Sequence, residues 1–174
     1  MRSSKRVLES TSARGYTASF LVPLAPGDYR VRVAAAGASR AIGAIELPVR
    51  ATLTAMGPYT VSDVLTWYVD GAGKALLFAM EDVPAAPAVM RASLEIYPPA
   101  GTGVEIPMVK WTLTRDGESA PVHEQEAAAV AGPGLMRADA ELPFDGLPAG
   151  IYVIRATLMI DGKPAGSRAA VVRL

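Results

Sequence analysis

The chain of 174 residues has no cysteine and a single histidine. The first absence removes disulfides, thiolate nucleophiles and cysteine-held zinc together, without assigning a compartment. The second leaves His123, in His-Glu-Gln-Glu-Ala, short of a metal partner: a zinc-binding helix needs a second histidine four positions on, and Ala127 stands there. With one imidazole and no Gly-x-Ser-x-Gly elbow, a Ser-His-Asp triad has little to be built from. His123 is read as a surface residue of a short edge strand over Ala120 to His123. No sign of charge is in excess, since Lys+Arg and Asp+Glu number 17 each, and no basic block exists to hold phosphates. Nucleic acid is therefore not expected as a partner. Long apolar runs are missing too. The longest, Ala75 to Met80, falls far short of the roughly 20 residues of a membrane-spanning helix. The basic opening Met1 to Arg6 is followed only by Val7 and Leu8, too little apolar sequence for a secretory signal. Aromatic residues make up 6%, while 31 residues are alanine, so the core is expected to consist of small and β-branched side chains. Carboxylates are scattered, and none repeats the Asp-x-Asp-x-Asp-Gly loop of a calcium site. No metal, cofactor or catalytic residue is expected, and the chain is read as a non-enzyme.

The most informative stretch present is one that occurs twice. Leu24-Ala-Pro-Gly-Asp-Tyr-Arg-Val-Arg32 and Leu147-Pro-Ala-Gly-Ile-Tyr-Val-Ile-Arg155 are displaced by 123 positions, so that Leu24, Gly27, Tyr29 and Arg32 fall on Leu147, Gly150, Tyr152 and Arg155. Gly43 falls on Gly166 at the same offset. Pro and Gly set a turn just before an alternating run, which reads as a turn feeding a strand. Tyr29, Val31 and Val33 face one way and Arg30 and Arg32 the other. Tyr152, Ile154, Ala156, Leu158 and Ile160 likewise oppose Val153, Arg155, Thr157 and Met159.

In order along the chain, residues 1 to 15 are polar and basic and are expected to be frayed. Three strands follow before residue 50. Three strands on one sheet cannot cover both faces, so the expected organisation is a partial β-sandwich segment over 1–56 and a full sandwich over 57–174. Tyr59 to Gly73 fits strand or loop better than helix. Met90, Ala92, Leu94 and Ile96 alternate with polar residues, as do Val109, Trp111 and Leu113. Glu124 to Ala131 has the composition of one or two helical turns. Little helix and many turn dipeptides argue for an all-β, antiparallel sandwich. Trp111, in an inward strand position, is read as core in preference to a stacking platform. The trio Tyr59, Trp67 and Tyr68 either seals the seam between the two units or stacks on a sugar face.

The Gly-x-Tyr-x-apolar entry of Gly27-Asp-Tyr29 and Gly150-Ile-Tyr152 resembles the tyrosine corner of immunoglobulin-like sandwiches, in which the tyrosine hydroxyl returns to nearby backbone. The same pattern also suits an ordinary amphipathic hairpin. Together with the Ala/Arg/Gly/Pro-biased composition, the repeated phrase resembles the C-terminal immunoglobulin-like or fibronectin type III-like sandwich region of bacterial proteins that carry a von Willebrand factor A domain. The Asp-x-Ser-x-Ser metal-adhesion motif of that domain is absent here, so the resemblance implies only an accessory β-sandwich. The expected function is then a module for protein interaction or spacing within a longer, exported bacterial protein, in the periplasm or outside the cell. Its partner would be a protein, or a second copy, pairing with an exposed strand edge. The alternative is a carbohydrate-binding module that offers Tyr59, Trp67 and Tyr68 to a polysaccharide.

Overall fold

The computed structural model describes residues 8–12, 15–19, 24–36, 41–69, 75–76, 89–101, 105–143 and 145–173. Among them there is no helix and every strand pairing is antiparallel. The strands are β1 (Leu8–Ser12), β2 (Gly15–Ser19), β3 (Gly27–Ala36), β4 (Ala41–Ala51), β5 (Thr54–Met56), β6 (Tyr59–Val61), β7 (Leu65–Val69) and β8 (Ala75–Leu76), then β9 (Val89–Tyr97), β10 (Met108–Arg115), β11 (His123–Ala128), β12 (Val130–Gly132), β13 (Leu135–Leu142), β14 (Ile151–Ile160) and β15 (Lys163–Arg173).

Two sheets form a sandwich. The first has the order β11-β10-β14-β15. The second runs β12-β13-β9 and then divides, because the first half of β9 pairs with β7 and its last two residues pair with β6, which continues to β5. Alternation dictates what each strand buries. Val109, Trp111 and Leu113 of β10 and Tyr152, Ile154, Ala156 and Leu158 of β14 face Met90, Ala92, Leu94 and Ile96 of β9 and Met136, Ala138, Ala140 and Leu142 of β13. About half of the buried core is the alanine, valine and isoleucine expected from composition; leucine, methionine and aromatic rings supply the rest, with Trp111 and Tyr152 as the bulkiest fillers from the first sheet.

The division of the second sheet has a local cause. Ser62 sits between β6 and β7, where its backbone N–H donates to Glu95 O at 3.0 Å and its hydroxyl oxygen accepts the Glu95 N–H at 3.0 Å. That exchange substitutes for ladder bonds and lets the chain change course without stranding a backbone group. Upstream, Gly57 at φ 58° opens the two-residue turn Gly57-Pro58 that joins β5 to β6, a position that favours glycine.

Several expectations shift. Met56 is buried in this core, so the sandwich begins with β5, ahead of the expected boundary at residue 57. Glu124 to Ala128 is strand, not helix: His123, Gln125 and Ala127 are half-buried while Glu124, Glu126 and Ala128 are exposed. Pairing with β10 overrides helix propensity there. β1 lies within the stretch expected to fray and forms a hairpin with β2. Of the run Ala75 to Met80 only β8 lies within the described residues.

Candidate functional site

Local geometry is the same in the two copies of the repeated phrase. The Tyr152 hydroxyl donates to Pro148 O at 2.7 Å, and the Tyr29 hydroxyl donates to Ala25 O, also at 2.7 Å and also four residues upstream. From these turns β3 pairs with β4 and β14 with β15 in one register. Tyr29 lies opposite Val49 as Tyr152 lies opposite Val172, and Val33 opposite Ile45 as Ala156 lies opposite Arg168. Even the irregularity coincides, falling between Ala35 and Ala36 in one hairpin and between Leu158 and Met159 in the other.

What surrounds the two hairpins is not the same. β14 is flanked by β10 on its second edge, and its face is wholly buried: Tyr152, Ile154, Ala156 and Leu158 have no solvent exposure. Among the described residues β3 and β4 pair only with each other. The equivalent face carries Val33 at 44% exposure, Ile45 at 56%, Leu47 at 46% and Val49 at 38%, with Tyr29 and Val31 half-buried between them. The opposite face of this hairpin is charged, with Arg50 Nε 2.6 Å from Asp28 and Arg30 3.1 Å from Glu46. Such exposed pairs stabilise by about 0–1 kcal/mol; here they mark which side is suited to water.

The glycines repeat the contrast. A methyl group built on Gly166 would lie 2.8 Å from Met56 Cγ, so the β15 backbone is pressed against the second sheet at a point where only glycine fits. Its counterpart Gly43 has nothing within 4 Å. A methyl group built on Gly150 would lie 3.4 Å from Arg115 Nε, whereas one on Gly27 would meet only the ring and hydroxyl of Tyr29. The N-terminal hairpin therefore has the shape of a closing hairpin without, among the described residues, the layer that such a hairpin closes on.

The residues singled out for chemistry do not converge. His123 Nε2 lies 3.4 Å from Gln125 Oε1 on the same edge strand. Among the described residues no three His, Asp or Glu side chains are grouped to hold a metal ion, and no helix is long and apolar enough to cross a membrane. Tyr59 and Tyr68 are buried at 4% and 2% exposure, while Trp67 is half-buried on the other side of β7. The three rings thus form no common exposed platform, and the two tyrosines act as core of the sandwich. Trp111 is wholly buried and its indole N–H meets no protein acceptor.

A cleft of about 250 Å³ is lined by Tyr59, Glu105, Met108, Glu126, Ile160 and Asp161 among others. The Tyr59 hydroxyl reaches Glu105 O at 2.8 Å there, and its pKa is raised by burial and then by the charges of Glu105 and Asp161. Burial likewise raises Tyr68. Tyr97 is raised mainly because its hydroxyl donates to Glu95 at 2.7 Å. Lys110 is raised by its contact with Glu124 at 2.8 Å. Each shift favours the protonation state already held at neutral pH, so none prepares a group for proton transfer.

Comparison of the chain with protein-family models, with curated proteins and with solved structures gives no match. The internal comparison between β3–β4 and β14–β15 is therefore what identifies the site. Sequence reasoning found the repeat and its turn; the shared register and bulge, and the open space over Gly43, required coordinates.

Proposed function

We propose that the chain is a non-catalytic, immunoglobulin-like β-sandwich module that works by protein interaction or spacing within a larger, exported bacterial protein. The observation that carries this reading is the bare hairpin. A sheet face with four exposed aliphatic side chains and an edge that is unpaired among the described residues is a surface that protein partners cover. The buried state of Tyr59 and Tyr68 favours a protein partner over a sugar, which stacks on exposed rings.

Photo-crosslinking in cells tests it, with a photoactivatable residue placed singly at Val33 on β3, at Val122 beside β11, at Val130 on β12 and at Val171 on β15. These positions sample the hairpin and the outer surfaces of the sandwich, all exposed. Discrete polypeptide adducts from at least one position are expected. No adduct from any of the four would overturn the interaction reading, and hydrolytic turnover that disappears in His123→Ala would overturn the non-catalytic one.

A further inference from the structure

The cleft beside the Asp161-Gly162 turn combines an apolar wall with charges that the chain leaves unanswered. Met108 of β10 and Met159 of β14 are direct cross-strand neighbours there, with Ile160 next in β14 and Ile106 on the approach to β10. Ile106 and Met108 are exposed. Tyr59 of β6 joins the lining, and its hydroxyl, donating to Glu105 O at 2.8 Å, ties the second sheet to the segment that enters the first.

Glu105, Glu126 and Asp161 line the same cleft, and no lysine or arginine does among the described residues. Elsewhere on the described surface charges are paired, as Lys110 is with Glu124, Arg137 with Asp139 and Arg91 with Glu141. Among the described residues the three cleft carboxylates have no ion-pair partner. Lys110 stands opposite Glu126 across the ladder, but its ammonium is held by Glu124 and the residue does not line the cleft. The charges of Glu105 and Asp161 both reach the Tyr59 hydroxyl, adding to the rise in its pKa that burial begins. Like charges gathered beside an apolar wall repel one another, and an entering cation relieves that repulsion.

Shape decides which cation. A metal ion needs oxygens that converge on one point, and among the described residues no three carboxylates are so grouped. The cleft, at about 250 Å³, is smaller than the roughly 300–1,000 Å³ of sites for drug-sized ligands. One long basic side chain suits both wall and rim, because its alkyl stem lies along apolar surface while its charged head stays with the carboxylates. Resting on the interaction reading above, we infer that this cleft receives a lysine or arginine side chain of a partner protein, its stem against Met108 and Met159 and its cation among Glu105, Glu126 and Asp161.

The test uses the whole chain, labelled with carbon-13 at the methionine methyl groups, and end-blocked peptides Ala-Ala-X-Ala-Ala. X is lysine, arginine or norleucine, which has an alkyl stem and no charge. Met108 and Met159 report on the cleft, and the buried Met56, Met90 and Met136 report on the fold. Both basic peptides are expected to shift the Met108 and Met159 signals saturably at millimolar concentration. Binding should weaken about fivefold with norleucine and about as much when ionic strength is raised tenfold. Glu105→Gln combined with Asp161→Asn is expected to weaken it at least fivefold, whereas Glu141→Gln, on β13, leaves it within twofold. Glutamine keeps the backbone carbonyl that Tyr59 bonds to, and asparagine tolerates the φ of 49° at position 161. Unchanged Met56, Met90 and Met136 signals check that the variants remain folded.

No saturable shift with either basic peptide at tens of millimolar, equal binding of the norleucine peptide, or shifts that survive the Glu105→Gln and Asp161→Asn pair would each overturn the inference. So would calcium ions that produce the same shifts at lower concentration than the peptides, which would assign the carboxylates to a metal. Crosslinks from Val33, Val122, Val130 or Val171 with none from a photoactivatable residue at Ile106 would remove the cleft while leaving the interaction module standing. No crosslink from any of the five positions would remove both.

Discussion

The hairpins β3–β4 and β14–β15 share their turn, their register and the place of their bulge, yet one is built into a core and the other presents its apolar face to solvent. The shared features are set within the chain segment itself. A Pro-Gly turn, a tyrosine that bonds to the carbonyl four residues back and an alternating pattern act over a few residues each. The feature that differs depends on distant sequence. β14 is covered because β9, β10 and β13 exist elsewhere in the chain to cover it.

The sharpest way to test that division is to truncate equivalent positions. Ile154→Ala removes methyl groups from a site with no solvent exposure, and is expected to cost about 2–5 kcal/mol of sandwich stability by urea unfolding. Val31→Ala, at the matching position of the bare hairpin, is expected to change it by less than about 0.5 kcal/mol. Equal losses would show that β3–β4 unfolds with the sandwich and would dissolve the contrast.

A smaller effect is expected at the glycines. Gly166→Ala forces Met56 or β15 to shift, because the new methyl would sit 2.8 Å from Met56 Cγ; about 1–3 kcal/mol should be lost, and Met56→Ala in the same molecule should restore part of it. Gly43→Ala meets nothing and is expected to be neutral or to stabilise by up to about 1 kcal/mol, as alanine for glycine does in a strand. A clear loss at Gly43 would mean that this face is already occupied in solution.

The smallest expected effect lies at alkaline pH and belongs to the sandwich alone. Burial raises the pKa of Tyr68 above its ordinary value of 10.0. The folded state then holds the phenol proton more tightly than the unfolded chain does, so the stability linked to it is fully present below pH 10 and declines as pH rises through the folded pKa. Urea unfolding from pH 9 upward should therefore show a falling midpoint, with a shallower fall in Tyr68→Phe. An unchanged slope in that variant would place the alkaline sensitivity elsewhere.

Much of the fold was legible because alternation is a strong signal where a strand is buried on one face. The inward sets of β9, β10 and β14 follow directly from Met90 to Ile96, Val109 to Leu113 and Tyr152 to Leu158. β11 was not legible: Glu124-Gln-Glu-Ala-Ala-Ala favours helix, and only the cross-strand partners Lys110 and Trp111 on β10 decide the matter. The roles of Tyr59 and Tyr68 were also hidden, since an aromatic residue in a strand reads alike whether it faces the core or a ligand. For the candidate site, the repeat pointed to the right residues. That the first copy is the bare one was suggested by strand count, three strands before residue 50, and not by residue type, because Val31 and Ile154 are equally at home in a core.

The divided edge of the second sheet bears on solubility. β5, β6, β7 and β8 are three, three, five and two residues long, and Ser62 fixes the break between β6 and β7. Among the described residues no flat run of backbone is left there for a stray chain to zip onto, a common protection against fibril growth. β3, by contrast, is ten residues long and runs in regular register with β4 from Gly27 to Ala35. Under crowding or partial heating, clumping should therefore nucleate at residues 27–51 and spare the sandwich.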